Sequence, residues 1–273
     1  MTPRTPKTLF LSFICLIVAC GTLLAAQSCG SSQRDKKKKD AKQNALEIPV
    51  FTQTRAEQRI EHTGYTVSYN PEWRIPNWVA YELTAEEVLG TVSRAQHFEI
   101  DPAVKGVCAD PRDYSNSGYD RGHMAPAGDM KWSWPAMQES FYMTNICPQD
   151  RNLNGGDWNH LEERARGWAT AFEHLYIVCG PIVPDTPQTI GYNHVAVPEA
   201  FFKVLLCQMN GQWQALGFLY PNVAGHRPMS QYCKTVDEIE ALTGIDFFPA
   251  LPDKTENAIE ATYDLDAWRI RGN

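Results

Sequence analysis

An acid, a guanidinium and an imidazole lie within four residues in the segment Asp120-Arg121-Gly122-His123. A neutral imidazole, with an ordinary pKa of about 6.5, can accept a proton from water near neutral pH. We therefore interpret His123 as a candidate general base. Arg121 carries the planar, forked donors that suit phosphate oxygens.

Two further polar blocks follow along the chain. Residues 144–149 read TNICPQ and residues 153–162 read LNGGDWNHLE. Asn154 and Glu162 supply the kind of oxygen ligand that Mg²⁺ prefers in proteins. Glu162 and Arg166 lie one helical turn apart, so they could instead form an i,i+4 ion pair worth a few tenths of a kcal/mol.

The three blocks resemble the DRGH, TNI-x-PQ and N-x-G-x-W-x-x-L-E signatures of the DNA/RNA non-specific endonuclease family. The resemblance extends more loosely from about Tyr65 to Pro252. It implies a ββα-metal active site and a divalent-metal-dependent endonuclease. Such an enzyme would hydrolyse phosphodiester bonds in DNA and RNA, its substrates, without strong sequence specificity.

The same resemblance assigns roles around a cation. His123 is then the general base, and Asn154 is the ligand of one divalent metal ion, which is Mg²⁺, Mn²⁺ or another such cation. Glu162 and Asn145 are assigned to the waters around the ion, where they would orient its ligands. Asn145 is equally suited to bracing the loop.

Three arginines complete the catalytic set that the resemblance implies. Arg121 and Arg166 are placed by the motifs, and Arg94 resembles an upstream arginine of the family with a different spacing to Asp101. These arginines are expected to act in catalysis by binding substrate phosphates, beside His123 as the base. Glu162 belongs to the same catalytic set.

The charge of the chain limits how it could hold a polyanion. Residues before position 45 carry eight of the 25 Lys and Arg but two of the 32 Asp and Glu, leaving the remainder at about −13. Phosphate neutralisation supplies most non-specific affinity for nucleic acid. The charge therefore argues against a broad basic face, and any contact must come from a local group of arginines.

The N-terminus has the layout of an export signal. Positive charges at Arg4 and Lys7 precede an apolar run from Leu9 to Ala26. The run borders on the length of a membrane span, so an uncleaved anchor is a second interpretation. Lipid could be attached at Cys29 or Cys20, and plain secretion without lipid is the other alternative.

These features predict a domain organisation and a location. We expect a signal peptide over residues 1–29, a polar disordered tether over 30–45 and the endonuclease domain over 46–273. The expected location is a bacterial envelope, as a membrane-anchored lipoprotein, or else periplasmic or secreted. The membrane is thus a predicted partner, and a homodimer stays open.

Hydrophobic patterns predict the elements that must position these residues. Trp158, Leu161, Ala165 and Trp168 recur at helical spacing, which predicts a helix over 156–175. A capping box at Thr235 predicts a second helix that stops at Gly244. Strands are predicted over 65–69, 78–83, 142–145, 175–179, 200–208 and 213–220.

Irregular mixing of these elements predicts an α+β fold, with a central, mainly antiparallel sheet flanked by helices. Asn210-Gly211 predicts a hairpin between the last two strands. Five cysteines lie beyond the N-terminal region, and export would allow at most two disulfides among them, with Cys207 and Cys233 as the first guess.

Two other functional classes were weighed against the enzyme. A binding module of the same fold could capture nucleic acid without cleaving it, although it would need neither a base nor a metal ligand. A structural lipoprotein of the envelope would explain the N-terminus but not the three motifs. The intact His123, Asn154 and Glu162 favour the enzyme.

Overall fold

The computed structural model describes Met1 and residues 45–270. The chain divides into two compact units, Met1–Ala45 and Leu46–Asn273, and the fold below belongs to the second. The expected signal peptide, lipidation cysteines and all but the last residue of the tether lie outside the described residues. Among the described helices, none is both long and apolar enough to cross a bilayer.

The second unit mixes strands, α-helices and short 3-10 turns. The strands are β1 Val50–Phe51, β2 Gln58–Glu61, β3 Thr66–Asn70, β4 Ile75–Thr84, β5 Asp120–His123, β6 Ile146–Gln149, β7 His174–Ile182, β8 Thr189–Ile190, β9 Val195–Ala196, β10 Ala200–Met209, β11 Gln212–Pro221, β12 Cys233–Lys234 and β13 Ile245–Asp246. The α-helices are α1 Ala85–Val88, α2 Trp134–Glu139, α3 Arg151–Gly155, α4 Asp157–Phe172, α5 Val236–Thr243 and α6 Asp253–Glu260.

The centre of the fold is a seven-stranded sheet in the order β12-β11-β10-β7-β4-β3-β2. Each neighbouring pair in it is antiparallel. The hairpin β5-β6 stands apart from this sheet as a two-stranded unit. Helices α3 and α4 follow β6 directly, and these four elements together form the ββα unit that carries the motifs.

Both faces of the central sheet are covered, so its strands are buried almost continuously rather than in alternation. On one face, Leu205 of β10 shares an apolar core with Trp158, Leu161 and Trp168 of α4. On the other face, the neighbouring Leu206 packs with α5 and the residues around β13. Because successive side chains of a strand point to opposite faces, one strand serves both layers.

The α+β architecture and most of the predicted elements are confirmed. The Asn210-Gly211 turn joins β10 to β11, and both residues have positive φ, at 52° and 77°. The second predicted helix begins with the expected capping box, in which the Glu238 amide donates to Thr235 Oγ1 at 3.1 Å. That helix ends at Gly244, as predicted.

Two of the predicted elements differ from the structure. The predicted strand over 142–145 is wrong, because Met143–Asn145 forms a 3-10 turn and the strand begins only at Ile146. The long helix ends at Phe172, short of the predicted residue 175, since Glu173 adopts a φ of 71°. The next residue already belongs to β7.

The guess of a Cys207–Cys233 disulfide is also wrong. All five cysteines in the described part of the chain are unpaired and buried. Cys207 lies on β10 and Cys233 on β12, with β11 between them in the sheet. Two inter-strand spacings amount to roughly 10 Å, and the Cα atoms of a disulfide lie no more than about 7 Å apart.

We therefore predict that the thermal stability of residues 46–273, expressed without the preceding segment, is the same with and without dithiothreitol. No cross-link constrains the unfolded chain, so reduction has nothing to remove. Circular dichroism melting curves measure this, and thiol titration in denaturant should find five reactive groups per chain. A reductant-dependent drop in Tm would contradict the free-thiol assignment.

Candidate active site

The hairpin β5-β6 positions the first motif. His123 pairs with Ile146 and Arg121 pairs with Pro148 across the two strands. Because side chains alternate along a strand, Arg121 and His123 point to one side and Asp120 points to the other. The Trp158 indole donates to the His123 carbonyl at 3.3 Å, which ties the hairpin to α4.

The His123 imidazole is buried between two phenylalanine rings. Its centroid lies 5.3 Å from that of Phe98 and 4.9 Å from that of Phe141, the latter in an edge-on arrangement. The residue is 7% exposed, and its Nε2 atom has no hydrogen-bond partner among the described residues. No carboxylate of the described residues bonds to this ring, so aromatic packing holds it in place.

This environment keeps the imidazole neutral. Burial lowers the pKa of His123 to about 3, and the positive charge of Arg94 adds to the effect. Burial disfavours the charged form of a histidine because the protein replaces water around it. A base that is unprotonated throughout the neutral range is ready to accept a proton.

Asn154 lies in the last turn of α3. The helix begins at Asp150, whose side chain accepts from the amides of Asn152 and Leu153 at 2.8 and 3.1 Å. Asn154 Nδ2 donates to the Asp120 carboxylate at 3.3 Å. This bond fixes the orientation of the amide and leaves its Oδ1 atom without a hydrogen bond among the described residues, so that oxygen is free to bind a ligand.

Helix α4 presents a polar face beside its buried one. Asn159, Glu162 and Arg166 recur at steps of three and four residues and line the same cavity. Trp158 and Leu161, each shifted by one position, are fully buried in the core. One helix therefore anchors the unit to the sheet and delivers polar groups to the site.

Glu162 sits among charges of both signs. Burial raises the pKa of its carboxyl group to about 7, and Asp129 contributes in the same direction. The positive charges of Lys203, Arg166 and Arg94 oppose that rise. Nearby cations favour the ionised form of a carboxyl group, so Glu162 is poised between its two protonation states near neutral pH.

A buried lysine of the central sheet supplies the largest of these opposing effects. Lys203 lies on β10 between Phe202 and Val204, which pack into the core on the opposite face. Its Nζ atom is 4.7 Å from the centroid of the Trp158 ring and has no hydrogen-bond partner among the described residues. The side chain is 0% exposed, so its charge is held in the interior.

Arg121 and Arg94 are held against aromatic rings. The Arg121 guanidinium carbon lies 5.3 Å from the centroid of the Phe98 ring, and its Nη2 donates to the Pro111 carbonyl at 2.6 Å. Arg94 lies over Phe141 at 5.0 Å and is exposed. The two rings that enclose His123 thus also place two guanidiniums beside it.

Arg166 does not pair with Glu162, one turn before it. Its Nη1 donates to Asp129 at 2.8 Å, and the Asp129 side chain is 0% exposed. Asp129 also accepts from the Tyr81 hydroxyl at 2.8 Å, so the carboxylate is anchored to β4. Arg166 is therefore fixed at the cavity wall with part of its charge already balanced.

These side chains meet in one cavity of about 570 Å³. The predicted residues Arg94, Arg121, His123, Asn154, Glu162 and Arg166 all line it, and so do Lys131 and Asn159. Among its lining residues are four basic side chains and one carboxylate. An otherwise acidic domain therefore carries a local positive site with the size and charge to hold a phosphate group.

Asn145 lies outside this lining. Its side chain is 0% exposed, donates to the carbonyls of Ala125 and Ser140 at 2.8 Å each, and accepts from the Ala125 amide at 2.8 Å. The amide group is thus committed to the backbone. This geometry fits the bracing role weighed for Asn145 rather than contact with waters around an ion.

The donor set at the cavity fits a hydrated, hard divalent cation. Asn154 offers a neutral oxygen and Glu162 a carboxylate. No group of three His, Cys, Asp or Glu side chains converges there among the described residues. An ion held by so few ligands retains most of its water, as Mg²⁺ commonly does.

The sequence motifs did not identify several residues that shape the site. Phe98 and Phe141 lie in irregular segments, where no periodicity distinguishes them from other apolar residues. Asp129 and Lys131 follow the first motif without belonging to it. Lys203 carried a readable signal, because a lysine flanked on both sides by apolar residues of a buried strand requires an explanation.

Relatives of this chain carry nuclease names. It is 36% identical to the human protein "Nuclease EXOG, mitochondrial" over 87% of this chain and 66% of that protein. It is 34% identical to human "Endonuclease G, mitochondrial" over 68% of each. The chain thus spans slightly less than two thirds of the EXOG relative.

A solved structure shares the fold. The crystal structure of the EndoG/EndoGI complex, described as showing the mechanism of EndoG inhibition, matches with a TM-score of 0.68 and 30% identity. The match covers 73% of this chain and 89% of that one. It confirms the ββα-metal nuclease architecture within an α+β fold.

These comparisons correct the expected location. The sequence led us to expect an exported protein, anchored as a lipoprotein in a bacterial envelope or free in the periplasm or medium. The EXOG and endonuclease G relatives are mitochondrial proteins by name, and they point to mitochondria instead. The envelope prediction is wrong on this evidence, because an apolar N-terminal run does not by itself identify a compartment.

The family assignment rests on the matched length as well as the motifs. The model of the DNA/RNA non-specific endonuclease family, a divalent-metal-dependent family, matches residues 42–254. That range contains the hairpin, both helices of the ββα unit and the cavity. This chain belongs to the DNA/RNA non-specific endonuclease family.

Proposed function

We propose that this protein is a divalent-metal-dependent endonuclease that hydrolyses phosphodiester bonds in DNA and RNA without strong sequence specificity. The observation that carries the proposal is one cavity that brings a neutral buried imidazole, an amide oxygen and a carboxylate together with four basic side chains. A site that only bound phosphate would need the cations but neither the base nor the metal ligand.

His123 acts as the general base in this proposal. Its low pKa keeps the ring ready to take a proton from the attacking water, and its enclosure by Phe98 and Phe141 prevents rotation away from the cavity. Positioning a base in this way avoids the entropy cost of collecting the reactants in solution.

Asn154 and Glu162 are the residues that would hold the metal ion. Asn154 binds through Oδ1, with its orientation set by Asp120, and Glu162 orients water from the adjacent helical face. When bound, a divalent cation, with Mg²⁺ proposed here, neutralises charge on the phosphate and stabilises the leaving oxygen. Lys203 supports Glu162 from the sheet side by favouring its ionised form.

The arginines explain the lack of strong sequence preference. Arg94, Arg121 and Arg166 offer guanidinium donors at the cavity, and such contacts to phosphate oxygens carry no information about the bases. DNA and RNA share these oxygens. Cleavage of defined duplexes should therefore be scattered along the sequence.

The first prediction separates the base from the metal site. The wild-type protein should degrade plasmid DNA only with a divalent cation, and His123→Ala should lower the rate by about 10²- to 10⁴-fold at every Mg²⁺ concentration. Asn154→Ala should instead weaken metal binding and recover partly as Mg²⁺ is raised. Gel assays across a Mg²⁺ titration measure both changes.

The matched control for this experiment is His160→Ala, which removes an exposed imidazole from the same helix as Glu162. It should retain wild-type activity. Near-normal turnover by His123→Ala, or a defect in that variant confined to metal affinity, would show that the imidazole is a ligand rather than the base.

A second prediction concerns Arg94, which is exposed and forms no ion pair among the described residues. Arg94→Ala should raise KM for duplex DNA and reduce the slope of log affinity against log salt by about 0.9, the loss of one phosphate contact. The control, Lys105→Ala, removes an exposed charge that does not line the cavity. Identical salt slopes for the two variants would contradict a phosphate contact at Arg94.

A third prediction follows from the buried imidazole. In the unfolded chain His123 accepts a proton below about pH 6.5, whereas in the folded protein it does so only near pH 3. The free energy of unfolding should therefore fall as pH decreases through this window, because the unfolded state binds the extra proton. Melting curves in EDTA should show a smaller acid-induced loss for His123→Phe than for wild type.

His160→Phe serves as the control here, since it makes the same substitution at an exposed position outside the cavity. That variant should lose stability in acid as the wild type does. If His123→Phe follows the same acid profile, the imidazole is not held neutral by burial.

A further inference from the structure

A second group of acidic side chains lies away from the cavity, on helices α5 and α6. Asp237 and Glu240 belong to α5, one turn apart, and Glu260 is the last residue of α6. Each offers a carboxylate oxygen, and these three atoms lie within 4.8 Å of one another. None of the three residues lines the candidate active site.

Glu260 is the unusual member of this cluster. It is 4% exposed, and its Oε1 atom is shielded from solvent without a hydrogen-bond partner among the described residues. Its carboxylate is directed at Asp237 and Glu240, as the mutual distances show. A buried carboxylate without a partner is costly, so a folded protein normally compensates for it.

The side chains around Glu260 add negative charge instead of the positive charge that would balance its carboxylate. Glu256, one turn before Glu260, also has a buried Oε1 without a partner, and Asp246 of β13 acts on both. No ion pair of the described residues includes Glu240, Glu256 or Glu260. Glu240 accepts one hydrogen bond, from the Phe247 amide at 2.8 Å.

The carboxyl groups of this cluster repel one another when they are ionised. Burial raises the pKa of Glu260 to about 9, with Glu240, Glu256 and the neighbouring aspartates adding to the rise. The same causes, burial first, raise the pKa of Glu256 to about 7. Either protons or a metal ion could relieve this repulsion.

The spacing of the oxygens favours a metal ion. Ca²⁺ binds carboxylate oxygens at about 2.3–2.6 Å, so two ligands on opposite sides of the ion are up to about 5 Å apart. A separation of 4.8 Å or less is compatible with this distance. Helices α5 and α6 both pack against the same apolar core, through Ile239 and Ile259. This packing holds together the two helices that carry the three carboxylates.

We propose that Asp237, Glu240 and Glu260 bind a hard divalent cation of the Ca²⁺ type, which fixes the C-terminal helix α6 to α5. The ion stabilises the fold and takes no part in hydrolysis, so the proposal is independent of the nuclease function. Asp237 is exposed and provides the route by which the ion enters, while Glu260 closes the inner side.

Thermal unfolding of the full chain at pH 8, with EDTA and then with increasing Ca²⁺, tests the proposal. The Tm of wild type should rise with Ca²⁺, and Asn154→Ala, which weakens only the metal site of the cavity, should keep the part of the rise that comes from the α5–α6 cluster. Glu260→Gln keeps the shape of the side chain but removes its charge. Added to Asn154→Ala, this change should abolish the remaining Ca²⁺-dependent shift, and alone it should leave the protein at least as stable as wild type in EDTA.

Asp237→Asn provides a second variant that cannot disturb the core, because this side chain is exposed. Its Ca²⁺-dependent shift should require higher Ca²⁺ concentrations than that of wild type. A wild-type Tm insensitive to Ca²⁺ would overturn the proposal and indicate a cluster held by protons. Equal Ca²⁺ responses in wild type and Glu260→Gln would overturn it as well.

Discussion

The site depends on one constraint, the burial of the His123 imidazole between Phe98 and Phe141. Many catalytic histidines are oriented by a carboxylate, which raises the basicity of the ring and stabilises its charged form. Here apolar contacts hold the ring, and burial lowers its pKa to about 3. Burial thereby keeps the imidazole, our proposed general base, free of protons, and a proton that it accepted would be bound weakly and would leave quickly.

The same two rings organise the positive charge of the cavity. Arg121 lies over Phe98 and Arg94 over Phe141, so the guanidiniums are positioned without strong ion pairs that would neutralise them. Arg166 is the exception, since buried Asp129 holds it at 2.8 Å. An acidic domain can hold a polyanion in this arrangement because a few fixed cations act at short range, where solvent screening is weakest.

The sequence predicted which residues line the candidate site better than it predicted their surroundings. His123, Asn154 and Glu162 belong to compact motifs. Local spacing predicts the helix that carries Glu162, and the family resemblance implies the hairpin that carries His123, so the sequence indicated that these residues meet in one cavity. Phe98 and Phe141 reach the site through long-range packing, which no local pattern records. Lys203 stands out in its strand, but the sequence does not show which site the strand brings it to. The Cys207–Cys233 guess failed for the same reason, because strand order decides which cysteines are neighbours.

Each face of the central sheet packs against a helix that carries a buried carboxyl group, and the charges of the two groups are balanced differently. On the face of α4, buried Lys203 opposes the rise in the pKa of Glu162, so a carboxyl group in the interior is balanced by a cation from the sheet itself. On the face of α5, Glu260 has no such cation among the described residues. Buried Glu162 is balanced by Lys203 of the same chain, whereas in our proposal Glu260 is balanced by a cation from solution. Because Phe202 and Lys203 are adjacent on β10 and face opposite layers, stabilising the α5 layer also holds the strand that carries Lys203.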